Sequence, residues 1–212
     1  MLFRLSDELS FPHPSLAEAD GLLAIGGDLT IARLLLAYRN GIFPWPVKGQ
    51  PLLWFSPPER CVLFPDKLHI SSSMQAVIHH QLFEITYNRS FQEVIDSCAS
   101  IRRKDQKGTW ITKDMKSAYL ELHRLGHAHS VEVWKEGQLV GGLYGVVCGN
   151  VFCGESMFSR IPNASKTALI HLVTGSRWKL IDCQVYTSHL ESMGAEMITR
   201  QDYLQLLDRW GA

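Results

Sequence analysis

The sequence has no excess of charge of either sign, with 21 Lys and Arg against 21 Asp and Glu. Bulk attraction to a polyanion is therefore excluded, and a nucleic-acid partner needs a local basic patch. No apolar stretch approaches the ~20 residues of a bilayer span. The opening MLFRLSDELSFPHPS lacks an apolar core of signal-peptide length. Neither a membrane span nor a secretory leader is expected, and the cytoplasm is the expected location. The five cysteines, Cys61, Cys98, Cys148, Cys153 and Cys183, form no CxxC pair and are odd in number. They read as free thiols of a reducing compartment, most of them in apolar runs.

Motifs for cofactors are missing too. GxGxxG and GxxxxGK[ST] are absent, and Lys166-Thr167 follows Ser165 where a phosphate loop would need glycine. There is no HExxH and no Cys/His zinc spacing. His127 and His129 lie two apart and the other histidines are scattered, so no metal is expected. Gly154-Glu155-Ser156-Met157-Phe158 half-matches a nucleophile elbow, but Phe158 stands where the last glycine belongs, and Ser156 reads as structural.

What is present is an ordinary globular composition, 46% apolar and 20% charged over 212 residues, enough for one or two domains. Thr30 and Gly41 bracket a helix with Ile31, Leu34, Leu35 and Tyr38 at helical spacing. Residues 1–20 read as irregular, Pro44-Trp45-Pro46 as a rigid loop, and 52–55 as a short strand. A boundary near 60 divides residues 1–60, a small N-terminal domain, from 61–212. After it, strands at 61–64 and 83–87 alternate with helices at 72–80, 91–99 and 112–125. Strands at 130–134, 139–147 and 151–158 follow as a meander, joined by Glu136-Gly137 and Gly149-Asn150.

Residues 152–185, FCGESMFSRIPNASKTALIHLVTGSRWKLIDCQV, form the centre of the chain. They predict a strand, a helix capped by Asn163 and Ser165 and running to about Leu172, and a second strand over 179–185. Such a unit is parallel, with its site at the strand ends. Glu155, Asp182 and Gln184 then converge on one pocket floor. A strand near 195–198 and a helix from Thr199 end the chain. The order predicts an α/β fold (an α+β mixed sheet) of GNAT-like acyltransferase type in the second domain. The acyl-CoA loop of that type, (Q/R)xxGx(G/A), is missing, because Leu143 ends the nearest match from Gln138.

Basic residues cluster between 102 and 116. Arg102, Arg103, Lys104, Lys107, Lys113 and Lys116 face Asp105 and Asp114, a local excess of four, with Trp110 inside the cluster. Arg160 and Lys166 lie by the proposed pocket. The cluster reads either as a solvated loop or as a phosphate-backbone track with an aromatic platform.

The stretches GLLAIGGDLTIARLLLAYRNGIFPW, LLWFSPPER, GTWIT, LGHAHSVEVW, LVGGLYGV, FCGESMFSR, NASKTAL and LIDCQV together resemble the leucyl/phenylalanyl-tRNA–protein transferase family, in the family's order. The resemblance implies a cytoplasmic enzyme without cofactors. It would move Leu, Phe or Met from aminoacyl-tRNA onto an N-terminal Arg or Lys of a protein, marking that protein for degradation by the N-end rule pathway. It places the adenosine-stacking tryptophans at Trp45 and Trp110, and the apolar aminoacyl pocket at Leu143, Phe152, Leu169 and Leu172. It places acidic and amide site residues at Glu155, Asp182 and Gln184, and site tyrosines at Tyr38 and Tyr119. Leu143 and Leu172 stand where the family pattern has Met and Phe, and Thr187 where it has Asn. A monomer is expected.

The expected chemistry is aminolysis of an ester, with Gln184 accepting a hydrogen bond from the amine. Asp182 polarises Gln184 or steadies the ammonium. Glu155 offers the countercharge for the cationic acceptor, or else pairs with Arg160 or Lys166. A non-catalytic aminoacyl-tRNA-binding protein, an acyl-CoA-dependent N-acetyltransferase and a cell-wall peptidyltransferase are the competing readings.

Overall fold

A computed structural model describes residues 2–47, 49–101, 109–175 and 178–211. The first sixty positions build a small sheet from short strands. β1 (Phe3–Leu5) lies parallel to β2 (Leu22–Gly26), and β3 (Phe43–Trp45) and β4 (Leu53–Phe55) complete the order β1-β2-β4-β3. Residues 1–20 are thus less irregular than expected, because Phe3 to Leu5 find open backbone groups along β2. The expected loop at Pro44-Trp45 is a strand as well. Pro44 has no N–H to donate, but β3 is an edge strand, where proline is tolerated.

Helix α1 (Ile31–Arg39) leaves β2 through Asp28, whose carboxylate accepts the Thr30 N–H at 2.9 Å. Thr30 holds the cap position without a side-chain cap bond. Leu34, Ala37 and Tyr38 form its buried face. Gly41 ends it at φ +69, and a Cβ there would come within 2.8 Å of Leu204.

The second sheet has seven strands. In chain order they are β5 (Glu59–Leu63), β6 (Glu84–Tyr87), β7 (Ala128–Lys135), β8 (Gln138–Cys148), β9 (Val151–Ser159), β10 (Leu180–Gln184) and β11 (Glu196–Thr199). In space the order is β11-β5-β10-β9-β8-β7-β6. Strands β7 to β9 form the expected antiparallel meander. Only β9 and β10 run parallel among the paired strands of this sheet, and α5 (Ala164–Thr174) makes the crossover between them. Its start differs from expectation. Asn163 sits in the left-handed region at φ +72 with no side-chain cap bond, and Ser165 lies inside the helix. The Ser159 hydroxyl instead accepts the Ser165 N–H at 3.3 Å.

Side chains alternate across the pleat, so the sheet separates two cores. Val62, Val151, Cys153 and Leu180 point into one, and Cys61, Leu63, Phe152 and Ile181 into the other. The first core also takes residues of α1, of the small sheet, of α3 (Phe91–Ser100), of α4 (Lys113–Arg124) and of α7 (Arg200–Trp210). The second takes residues of α2 (Ser72–His79), α5 and α6 (Ser188–Glu191). Thr112 caps α4 as expected, accepting the Met115 N–H. This layout lets Tyr38 of α1 and Tyr119 of α4 both reach Glu155, which lies in the middle of β9 and not at its end as expected.

Candidate active site

Strand β10 breaks its pairing with β5 between Asp182 and Gln184, where a bulge shifts the register. The break is a tight turn. Gln184 has φ +61, and the Val185 N–H reaches back to the Cys183 carbonyl at 2.7 Å. A non-glycine residue held there costs of order 1–3 kcal/mol and persists only when its surroundings fix it. Two groups fix Gln184. Asp182 Oδ1 accepts its backbone N–H at 2.8 Å, and its side-chain Nε2 donates to Glu155 Oε1 at 2.7 Å.

Asp182 has no exposed surface. Arg60, at the start of β5, grips it with Nε on Oδ1 and Nη2 on Oδ2, both at 2.8 Å, and the Tyr203 hydroxyl donates to Oδ2 at 2.8 Å. The guanidinium lies between the rings of Phe43 and Tyr203, 4.7 and 4.6 Å from their centroids. Burial works against its charge, but Asp182 beside it holds it above its ordinary value. This differs from the expected role: Asp182 meets the Gln184 backbone, not its amide side chain, and its lone pairs are taken.

Glu155, on β9, has other partners. Tyr38 from α1 donates to Oε1 at 2.7 Å and Tyr119 from α4 donates to Oε2 at 3.0 Å. The two hydroxyls also contact each other. Burial pushes the Glu155 carboxyl up to about 7, although hydrogen bonds from Tyr38, Gln184 and Tyr119 pull the other way. Burial, with the Glu155 charge, also pushes both phenols well up, so Tyr38 and Tyr119 remain donors. Of its two alternative partners, Arg160 is occupied elsewhere, on the Leu139 carbonyl at 2.8 Å and the Ser97 hydroxyl at 3.0 Å.

Glu155, Asp182 and Gln184 line a cavity of about 430 Å³. Leu143, Phe152, Leu169, Leu172, Ile181 and Leu190 line its apolar part, and Glu155, Asp182, Gln184 and Thr187 its polar part. Trp45 and Trp110 stand on its wall, stacked at 5.6 Å between centroids and 16° between planes. Tyr38 and Tyr119 lie behind Glu155. Lys166 does not line the cavity, but its charge reaches His189, which does. Arg102, Arg103, Lys104 and Lys107 lie outside the described residues. The sequence reading missed Arg60 and Tyr203. The signal for Arg60 was a cation placed directly against the apolar run Cys61–Phe64.

An apolar cavity ending in a carboxylate–amide pair suits a group-transfer enzyme, one that holds an apolar side chain and reacts at its polar rim. Comparison with known proteins makes the class specific. Residues 62–208 match the model of the leucyl/phenylalanyl-tRNA protein transferase family, and residues 27–58 match the N-terminal domain model of the same family. A leucyl/phenylalanyl-tRNA–protein transferase of Syntrophobacter fumaroxidans is 57% identical over 97% of this chain and 89% of its own length. One of Flavobacterium johnsoniae is 52% identical over 97% of this chain and 99% of its own. One of Shigella dysenteriae serotype 1 is 54% identical over 95% and 87%. The chain belongs to the leucyl/phenylalanyl-tRNA protein transferase family and is an aminoacyltransferase.

Proposed function

We propose that the chain moves Leu, Phe or Met from aminoacyl-tRNA to the α-amine of proteins that begin with Arg or Lys, and so marks them for N-end rule degradation. One observation carries this reading. Gln184, in the cavity wall, gives its Nε2 to Glu155, and so keeps its carbonyl oxygen for the acceptor amine. A free α-amine has a pKa of ~7.7–8.0, so a useful fraction is neutral near pH 7 and no strong base is needed. Gln184 Oε1 accepts one amine hydrogen and aims the lone pair at the ester carbonyl. The C–N bond forms, the bond to the ribose oxygen breaks, and the amine proton ends on that oxygen. Holding both reactants in line supplies much of the rate.

The apolar part of the cavity takes the aminoacyl side chain. A methylene decides only ~1–3 kcal/mol, so Leu, Phe and Met are discriminated loosely. Trp45 and Trp110 offer stacking to the terminal base. Two ring contacts of ~3.5 Å need about 7 Å, more than the 5.6 Å between their centroids. The base therefore stacks on an outer face, or the pair parts to admit it. The Arg102, Arg103, Lys104 and Lys107 stretch, with Arg160 and Lys166, is assigned to the tRNA backbone. A small domain over 1–60 and a GNAT-like catalytic domain over 61–212, acting as a cytoplasmic monomer, complete the reading. Tyr38 and Trp45 come from the first part and Glu155, Gln184 and Trp110 from the second.

The test mixes radiolabelled Leu-tRNA with the chain and a peptide beginning with Arg or, separately, Ala. Label on the Arg peptide alone supports the reading. Label remaining on tRNA, despite measured binding, favours a non-catalytic tRNA-binding protein.

A further inference from the structure

Two neighbouring thiols, one in the cavity wall and one buried beside it, are not used by the transfer chemistry. Cys183 lines the cavity and is the extra residue of the β10 bulge, between Asp182 paired with Val62 and Gln184 paired with Cys61. Cys61 therefore stands beside it on β5, buried. Cys183 Sγ donates to the Ile181 carbonyl at 3.9 Å, and each thiol shifts the titration of the other. Both side chains pack into the same core on one face of the sheet, as two thiols that are to be linked must.

We propose that Cys183, in the wall of the aminoacyl cavity, and the buried Cys61 beside it form an oxidation site, where a peroxide converts them to a disulfide that disables transfer. In the first step a thiolate sulfur attacks the peroxide O–O bond and becomes a sulfenic acid, releasing hydroxide. In the second, the other sulfur displaces the sulfenic oxygen, the S–S bond forms, and water leaves with the thiol's proton. The balance is two thiols and one peroxide giving one disulfide and two waters. The neighbouring Cys183 thiol holds the Cys61 thiol below its ordinary value, against the effect of burial, and so favours the reactive thiolate.

The link acts on the catalytic amide through one turn. Cys183 supplies the carbonyl that closes the turn around Gln184, at φ +61. Tying its side chain to β5 pulls on that turn and shifts the Gln184 amide away from Glu155. A misplacement of ~1 Å at such a site costs about 10²-fold in rate.

The experiment treats the full chain with hydrogen peroxide, alkylates the remaining thiols, and maps disulfides by peptide mass spectrometry before and after dithiothreitol. Transfer is assayed in parallel. The expected result is a Cys61–Cys183 link, loss of transfer by about 10²-fold, and recovery with dithiothreitol. In Cys61→Ala the link cannot form, and transfer, measured against that variant's own untreated rate, survives the same treatment. The proposal is overturned if the link is absent, if the only link joins Cys148 to Cys153, if the linked protein keeps full activity, or if Cys61→Ala is inactivated equally. The mapping stands whether or not the transfer reading does. A chain that shows no transfer before oxidation counts against that reading, not against the thiol pair.

Discussion

Replacing Glu155 with Gln tests directly what burial does to this carboxyl. An ordinary glutamate titrates near 4.5, and burial raises this one to about 7. The folded state therefore holds the proton more tightly than the unfolded state. Stability from this difference is fully present below pH 4.5 and is lost as pH rises through 7. Between those values the unfolded chain binds fewer protons, so the slope of unfolding free energy with pH is negative. Each pKa unit is worth about 1.36 kcal/mol, which makes the ceiling about 3 kcal/mol. Glu155 keeps part of its surface at the cavity wall, and solvent screening lowers that ceiling. The Glu155→Gln variant has an amide there, which cannot titrate, and so lacks the trend. Urea unfolding of both proteins at several pH values from 4.5 to 8.5 measures it. Relative to Glu155→Gln, the wild type should lose up to about 3 kcal/mol across the range. A stability difference that is flat with pH, or one that moves in favour of the wild type as pH rises, refutes the reasoning. The second outcome would mean that the bonds from Tyr38, Tyr119 and Gln184 outweigh burial.

The remaining predictions concern transfer. Gln184→Ala should slow single-turnover transfer by about 10²–10⁴-fold while aminoacyl-tRNA binding stays nearly intact, and equal loss of both would remove Gln184 from the chemistry. Trp110→Ala should weaken aminoacyl-tRNA binding by ~1–3 kcal/mol, read by filter binding at fixed salt, and an unchanged Kd would remove Trp110 from the base platform. Tyr203→Phe deletes one hydrogen bond to Asp182 and keeps the ring over Arg60. It should lower kcat by more than it changes KM, whereas a matched change in KM alone would make Tyr203 part of substrate binding.

Much of the architecture was legible because periodicity and turn chemistry are local. The meander from β7 to β9, the β9–α5–β10 crossover and the Thr112 cap all follow from residues within a few positions of each other. What was not legible depended on distant partners. Strand β1 exists because β2 presents a free edge to it, and neither Phe3 nor Leu5 carries a strong signal alone. Pro44 was read by its missing donor, yet an edge strand does not need that donor. The same limit applied at the site. Glu155, Asp182 and Gln184 were found together because they lie in one strand–helix–strand unit. Arg60, 122 residues from Asp182 in sequence, was not. Its meaning lies in a pairing of β5 with β10 that no local pattern announces.

That distant pairing divides the work between two carboxylates. A buried charge must be matched, and Asp182 is matched fully by Arg60, Tyr203 and the Gln184 N–H. The Arg60–Asp182 pair is neutral as a whole, and Asp182 Oδ1 supports the turn at Gln184 through its backbone N–H. Glu155 has neutral donors and no cation among its hydrogen-bond partners. Its charge is accordingly harder to keep, and its carboxyl titrates near the pH at which an acceptor amine begins to lose its proton.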